Sequence, residues 1–163
     1  MNENQAQLLS FTLGDNIYGL DITRVQEIRA LGEIRKLPNT PSHCMGVIDF
    51  RHAMVPILDL RDIFGYTAKS IDKQTVMVVV SVGEPGNEML VGIVVDTVSD
   101  VIAVSLSEIK KSPRLGNNVS TEFMTGMFKY QDKIVVMLSL ESIFETEKFD
   151  DLKTIVQQQT ALV

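Results

Sequence analysis

The sequence has little that would support a disulfide-bonded or nucleic-acid-binding protein. Its 163 residues include one cysteine, two histidines and no tryptophan, and the formal net charge at pH 7 is −6. A single cysteine excludes an internal disulfide bond and fits a reducing compartment. The negative net charge argues against nucleic acid as a partner, because nucleic acids bind basic surfaces.

Targeting and membrane-spanning signals are also missing. Residues 1–7 are polar and lack the basic start and apolar centre of a signal peptide. Asp or Gly interrupts the apolar runs well before the roughly 20 residues that a spanning helix needs. We therefore expect a cytoplasmic protein without direct membrane insertion. With 45% hydrophobic residues, the chain can nevertheless bury a core.

An internal repeat organises the residues that are present. Residues 46–64 align with residues 126–144 without a gap, glycine on glycine and Ile-Phe on Ile-Phe. Each segment has two apolar arms around a polar turn, which predicts a β-hairpin. Shorter matches precede the hairpins: Phe11-Thr-Leu-Gly14 with Val80-Ser-Val-Gly83, Tyr18-Gly-Leu20 with Val91-Gly-Ile93, and Val25-Gln-Glu-Ile28 with Val98-Ser-Asp-Val101. The chain is therefore predicted to be a duplication.

Each predicted unit runs strand, turn, strand, short helical turn, loop and hairpin. The helical turns are predicted at residues 23–28 and 96–101, since Val25 and Ile28 are spaced for one helical face. A unit of about 70 residues is marginally stable alone, so the two units are expected to share a core. Short strands at regular spacing favour barrels, because closure removes exposed edges. The predicted fold is mainly β, with two related barrels.

Few side chains could carry catalysis. His43, Cys44 and His52 are the available soft metal ligands, but neighbouring His43 and Cys44 suit chelation poorly. Asp59 and Asp62 are interpreted as solvated charges rather than as an acid–base pair. These residues favour a protein without catalytic, cofactor or metal site. A metal- or ligand-binding β-barrel enzyme that uses His43, Cys44 and His52 is the alternative.

The two halves differ where their hairpins turn. The first turn contains Arg51-His52 and the second contains Gln131-Asp132. A duplicated scaffold needs the same core twice but not the same surface, so a turn that changes charge is a candidate contact. Neutral drift on a loop is the alternative interpretation.

Pro56 predicts an edge strand, because proline cannot donate a hydrogen bond to a neighbouring strand.

An ordered series of motifs from about Leu8 to Phe144 resembles the CheW family, the coupling proteins of bacterial chemotaxis. The motifs are Phe11-Thr-Leu-Gly14, Tyr18-Gly-Leu-Asp-Ile22, Val25-Gln-Glu-Ile-Arg29, Leu37-Pro-Asn-Thr-Pro41, Gly46-Val-Ile48, Val55-Pro-Ile-Leu-Asp-Leu-Arg61, Val91-Gly-Ile-Val-Val-Asp96, Val98-Ser-Asp-Val101 and Met124-Thr-Gly126. The resemblance implies two SH3-like five-stranded β-barrels packed together.

The resemblance also implies how the chain divides. A CheW-like domain is expected at residues 8–148, after a flexible tail at residues 1–7 and before a C-terminal tail or helix at residues 149–163. Within the domain, the first barrel is expected at about residues 15–65 and the second at about residues 75–144, with strands shared between them.

The implied function is that of a non-enzymatic adaptor. CheW proteins join the cytoplasmic tips of chemoreceptors, the methyl-accepting chemotaxis proteins, to the regulatory domain of the histidine kinase CheA. The implied location is the cytoplasm, at receptor arrays on the inner membrane, where CheW–CheW contacts are also expected. A CheW-fold scaffold of another CheA-type kinase system is the alternative within the family.

The resemblance assigns two sets of site residues, motif by motif. The receptor-binding set, in a groove between the barrels, is Val25, Glu27, Arg51, Val98 and Val101. The kinase-binding set is Ile28 and Ile34. The family's Asn-Leu-Arg-Gly motif reads Asp49-Phe50-Arg51-His52 here, so a histidine replaces the glycine that would easily adopt a positive φ. The turn type is therefore left open.

Overall fold

The computed structural model describes residues 4–32, 34–36, 44–64, 75–83, 86, 88–110 and 124–140. These residues are mostly β-strand, and no helix among them is long and apolar enough to cross a membrane. The strands are β1 (Gln5–Leu13), β2 (Asn16–Asp21), β3 (Val25–Ala30), β4 (Cys44–Phe50), β5 (Ala53–Asp59), β6 (Val76–Val82), β7 (Met89–Val95), β8 (Thr97–Ser105), β9 (Met124–Tyr130) and β10 (Lys133–Leu138). The helical segments are α1 (Leu60–Ile63) and the 3-10 turns Ile22–Arg24 and Leu106–Glu108.

The described strands form two five-stranded sheets, in the orders β8-β1-β2-β10-β9 and β3-β6-β7-β5-β4. If β1 to β5 are exchanged for their repeat counterparts β6 to β10, each order becomes the other. The duplication is thus present in the topology, and the mainly β fold with two SH3-like five-stranded units is confirmed. Among the described residues, the two outer strands of a sheet are not paired with each other, so the units are not closed barrels.

Each sheet combines strands from both halves of the chain. The hairpin β1–β2 joins β8, β9 and β10, while the hairpin β6–β7 joins β3, β4 and β5. Two parallel ladders, β2 with β10 and β5 with β7, join each of these hairpins to strands from the other half of the chain. The expected barrel limits at about residues 15–65 and 75–144, with strands shared between them, stay a prediction. In the described sheets, the shared strands amount to a whole hairpin from each half.

The expected ends of the domain need separate comment. β1 begins at Gln5, so the flexible tail predicted at residues 1–7 is too long. Backbone pairing explains the difference, because Gln5, Ala6 and Gln7 lie opposite residues of β8. The C-terminal tail or helix predicted at residues 149–163 lies outside the described residues.

The two sheets pack against each other through a shared core. Repeat counterparts belong to this core together: Phe11 and Val80 are both members, and so are Leu58 and Leu138. Each sheet also encloses a cluster of its own: Phe50, Val55, Ile57, Met77, Val79 and Val94 in one, and Leu8, Ile102, Val104, Phe128 and Val135 in the other. Burying one large apolar side chain stabilises a fold by about 1.5–3 kcal/mol. A unit without its partner would expose the shared core and lose this stabilisation.

The helical turns predicted at residues 23–28 and 96–101 are wrong. Only Ile22–Arg24 is helical, and Val25 already belongs to β3. The second segment is almost entirely in β8, which begins at Thr97. Both strands contain a bulge, seen as a register shift between Val25 and Glu27 on β3 and at the equivalent place on β8. An extra residue in a strand alters its apolar spacing, which explains why the pattern suggested a helix.

Pro56 does not lie in an edge strand, contrary to the prediction. β5 pairs with β4 on one side and with β7 on the other. Val47, opposite Pro56, exchanges its backbone hydrogen bonds with Arg35 instead, at 2.9 and 2.8 Å. The ladder with β7 begins only at Ile57. Neither neighbour therefore needs the backbone donor that proline lacks.

Candidate interaction surface

Two bulged edge strands, β3 and β8, carry most of the residues in the expected sites. Each strand is the outer member of its sheet, and the two are repeat counterparts. Val25 on β3 and Val98 on β8 are half-buried and pack against the shared core. The structure therefore connects these two predicted receptor contacts to the same packed interior. Bulges protect edge strands from pairing with other chains, and they often lie beside functional sites.

The same strands present apolar side chains to solvent. Ile28 on β3 is 44% exposed, and its counterpart Val101 on β8 is 54% exposed. Both edges thus repeat one pattern, with an inner valine on the core and an outer branched side chain in water. Exposed branched side chains of this kind add apolar area to a protein contact without contributing to the core.

The bulge of β8 is held by a buried serine. Ser10 Oγ donates to the backbone oxygen of Asp100 at 2.9 Å and accepts from its backbone N–H at 3.0 Å. Because Ser10 is 3% exposed, both polar groups of the bulge are satisfied inside the protein. The exposed face of β8 at Val101 is therefore presented by a fixed backbone.

Glu27 has an incompletely satisfied carboxylate. Its Oε2 atom is buried and has no hydrogen-bond partner among the described residues. Arg29 Nη1 lies 3.7 Å from this atom, beyond the usual hydrogen-bonding distance. The two side chains are 41% and 45% exposed, so their ion pair contributes little to folding. Because the side chain as a whole is 41% exposed, a partner can still meet the negative charge of Glu27 at the surface.

Arg51 lies at the tip of the β4–β5 hairpin, at the opposite edge of its sheet from β3. Its guanidinium carbon is 4.8 Å from the centroid of the Phe50 ring, a cation–π distance. No ion pair joins Arg51 to Asp49 in the described part of the chain. The charge of Arg51 is thus exposed and held by the neighbouring Phe50 ring. Among the described residues, no ion pair connects Arg51 to β3 or β8.

The structure gives the turn type that the sequence left open. Arg51 and His52 have φ values of 50° and 65°, and Gln131 and Asp132 have 50° and 63°. Both hairpins therefore use two-residue turns with positive φ at both positions, as in type I′ turns. Ala53, directly after the turn, is the first residue of β5. Histidine is among the residues that tolerate this region best after glycine.

A cleft of about 340 Å³ lies beside the first hairpin, with Ile34, Arg35, Val47, Ile48, Asp49 and Met54 as its lining. Ile34, one of the two expected kinase contacts, is therefore in this cleft, whereas Ile28 is on β3. Gly46 makes the arrangement possible: at φ 142°, an added Cβ would lie 2.7 Å from Ile34 Cγ2 and would collide with the Arg35 carbonyl oxygen. The glycine at the start of the repeat is thus explained by close backbone approach.

Asp59 is buried and not solvated as predicted. It is 9% exposed, and its carboxylate accepts from Arg61 Nε at 2.9 Å and from Arg61 Nη2 at 3.0 Å. Arg61 is 3% exposed and also lies 3.6 Å from Asp96 through Nη1. The hydrogen bond that Arg61 donates to Asp59 and the two nearby carboxylates hold the pKa of Arg61 above its usual value. An Asp-Leu-Arg triplet directly after an apolar strand is the sequence signal for such a pair.

The geometry does not support the enzyme alternative. Cys44 is buried at one end of β4, and His52 lies beyond the other end. At about 3.3 Å per residue, the length of β4 separates them by roughly 20 Å. Burial raises the pKa of the Cys44 thiol, which disfavours a reactive thiolate. Across the described ranges, no group of three or more His, Cys, Asp or Glu side chains could hold a metal ion. His43 lies outside those ranges.

The fold and this surface define a duplicated, mainly β scaffold with exposed side chains on two edge strands and at a hairpin tip. A family model described as CheW-like domain matches residues 7–148. The chain is 36% identical over 142 residues to the chemotaxis protein CheW of Klebsiella aerogenes, covering 87% of this chain and 83% of that protein. It is 29% identical over 148 residues to the probable chemotaxis protein CheW of Rhizobium etli, covering 90% and 93%.

A solved structure agrees with these relatives. The crystal structure of the scaffolding protein TtCheW from Thermoanaerobacter tengcongensis matches with a TM-score of 0.77 and 29% identity, covering 88% of this chain and 94% of that one. The chain belongs to the CheW-like family. It is a CheW-type scaffold protein of chemotaxis.

Proposed function

We propose that the chain couples chemoreceptors to the histidine kinase CheA within an array at the inner membrane. The observation that carries this proposal is the repeated pattern on β3 and β8, where exposed Ile28 and Val101 accompany half-buried Val25 and Val98. An adaptor needs firm surfaces for more than one protein partner. Two related edges on one shared core meet that requirement.

The receptor site of this proposal includes both edge strands and the hairpin tip. A receptor helix would place its apolar stripe against Val98 and Val101, which supply area on β8. Glu27, whose side chain is 41% exposed, would present its negative charge to the receptor. Arg51 would supply a positive charge that sets the register of the helix. Charges of this kind contribute more to the specificity of binding than to its affinity.

The kinase site of this proposal lies at the first hairpin. Ile34 is in a cleft whose lining combines apolar Val47, Ile48 and Met54 with charged groups. The regulatory domain of CheA would insert an apolar side chain there, because interface hot spots are anchors in well-packed pockets. Ile28, on β3 at the other edge of the sheet, would supply a separate apolar contact to the kinase.

The test is binding of the chain to a receptor cytoplasmic fragment and to the CheA regulatory domain, each measured separately. The wild-type chain should bind both. Val101→Asp should weaken receptor binding at least about tenfold, since it places a charge in an apolar contact. Ile134→Asp is the matched control, because Ile134 is 56% exposed and lies on β10, which is not adjacent to β8 in the sheet. Equal receptor affinity for the two variants would refute the β8 contact, and a wild-type chain that binds neither partner would refute the function.

A further inference from the structure

A buried charge cluster, formed by Asp59, Arg61 and Asp96, connects distant parts of the fold. The side chains of Asp59, Arg61 and Asp96 are 13%, 4% and 15% exposed. Asp59 also accepts from the backbone N–H of Arg61 at 3.0 Å and so caps α1. Arg61 is thus fixed by its helix and by Asp59, and its remaining Nη1 group reaches Asp96 in the second half of the chain.

Asp96 passes this connection to the start of β8. Its Oδ2 atom accepts from the backbone N–H of Gly14 at 2.8 Å, in the turn between β1 and β2. Its own N–H donates to the Thr12 oxygen at 3.0 Å. The next residue, Thr97, lies 2.6 Å from Thr12 through their hydroxyl oxygens. Asp96 therefore fixes where β8 begins, two residues before Val98.

The equivalent junction in the other half is built differently. Gly83 is the repeat counterpart of Gly14, and there Arg24 Nη1 donates to the Gly83 oxygen at 3.2 Å. The counterparts of Asp59 and Arg61 in the second hairpin are Ser139 and Glu141. These residue types cannot form the same ion pair. A charge cluster of this composition therefore belongs to the β8 junction and is not a requirement of the duplicated fold.

We infer that Arg61 and Asp96 are positioning residues, which set the place of β8 and thereby the affinity of Val98 and Val101 for a receptor helix. This inference rests on the proposed receptor contact. A buried ion pair is weak evidence for stability, because apolar residues of similar size can stabilise as well. The planar guanidinium of Arg61 is oriented by its two directional hydrogen bonds to Asp59. That orientation directs Nη1 towards the Asp96 carboxylate, 3.6 Å away. Neither residue touches the receptor.

Asp96→Asn is the variant that tests this role. The amide oxygen can still accept from Gly14, and Arg61 keeps its partner Asp59, so mainly the ionic link to β8 is lost. Amide hydrogen exchange at residues 97–101 should become faster. Receptor-fragment affinity should fall about fivefold, in the range of changes at coupled positions, while affinity for the CheA regulatory domain stays within about twofold. Glu108→Gln, which removes the same charge at an exposed position, should change neither the amide exchange at residues 97–101 nor the receptor-fragment affinity.

Several results would overturn the inference. Unchanged exchange at residues 97–101 would show that the link does not position β8, whether or not the receptor contact is correct. Unchanged receptor affinity with faster exchange, or equal losses for receptor and kinase, would show a structural role only. If Asp96→Asn does not fold, Arg61→Lys provides the same comparison, because it keeps the charge and loses the planar fork. Failure of the wild-type chain to bind receptor would instead refute the proposed function.

Discussion

The first and second halves of the chain bury counterpart residues but differ at their tips and junctions. Both supply leucine to the shared core from the end of the hairpin, as Leu58 and Leu138, and both hairpins turn through positive φ. The first tip carries Arg51 where the second carries Gln131. The buried charge cluster has members from both halves, and in the part of the chain that the structure describes it lies at the start of β8. Duplication therefore constrains what is buried and leaves the edges able to acquire different partners.

The shared core provides the largest expected effect. Leu58→Asp should unfold the protein, with a loss of about 4 kcal/mol or more, because the charge would be buried without a partner. Leu138→Asp should cost less, since Leu138 is 7% exposed and Leu58 is 0% exposed. Urea unfolding followed by circular dichroism measures both. A folded Leu58→Asp protein with the wild-type midpoint would mean that β5 does not face the shared core.

Alanine substitutions at the two repeat glycines, Gly46 and Gly126, should lower stability by intermediate and unequal amounts. Gly46→Ala should destabilise by about 2 kcal/mol, because it combines a positive φ with a collision against the segment at Arg35. Gly126→Ala should cost about 1 kcal/mol, because its Cβ would lie 2.9 Å from Ile109 Cγ2, a side-chain atom, and 3.0 Å from the Lys110 oxygen. Thermal unfolding of the two variants gives the order. The reverse order would contradict the close approach described for Gly46.

Much of the fold could be predicted because the repeat is visible in the sequence. Strand alternation and matched glycines identify two hairpins and a common core without any long-range information. The exchange of hairpins β1–β2 and β6–β7 could not be predicted, because it depends on parallel pairing between residues far apart, such as Ile57 with Gly92. A strand pattern shows which face is buried but not which strand lies beside it.

The candidate site was predicted less completely than the fold. One reason lies in local strand geometry and the other in packing between distant parts of the chain. Bulges in β3 and β8 gave Val25 and Ile28 a helical spacing, so the proposed site residues were assigned to the wrong type of element. The burial of Asp59 depends on Arg61 and on packing of the whole molecule, and a charged residue read alone is normally assigned to the surface. The motif resemblance supplied the site residues, and the structure supplies their exposure and their partners.

Arg51 provides the smallest expected effect on stability and the largest on assembly. Arg51→Glu should change the free energy of unfolding by no more than about 0.5 kcal/mol, because the side chain is at an exposed turn. Gln131→Glu introduces the same charge at the counterpart tip. If Arg51→Glu lowers stability markedly more than Gln131→Glu, Arg51 is a structural residue and its assignment to the receptor site is wrong.

Co-sedimentation of CheA with receptor-containing membranes, with and without the chain, tests the coupling function most directly. The wild-type chain should bring CheA into the pellet, Gln131→Glu should do so equally well, and Arg51→Glu should leave CheA in the supernatant at an unchanged melting temperature. Sedimentation of CheA that does not depend on the chain would contradict coupling. If the Arg51→Glu variant brought as much CheA into the pellet as the wild-type chain, the functional asymmetry between the two hairpin tips would be contradicted.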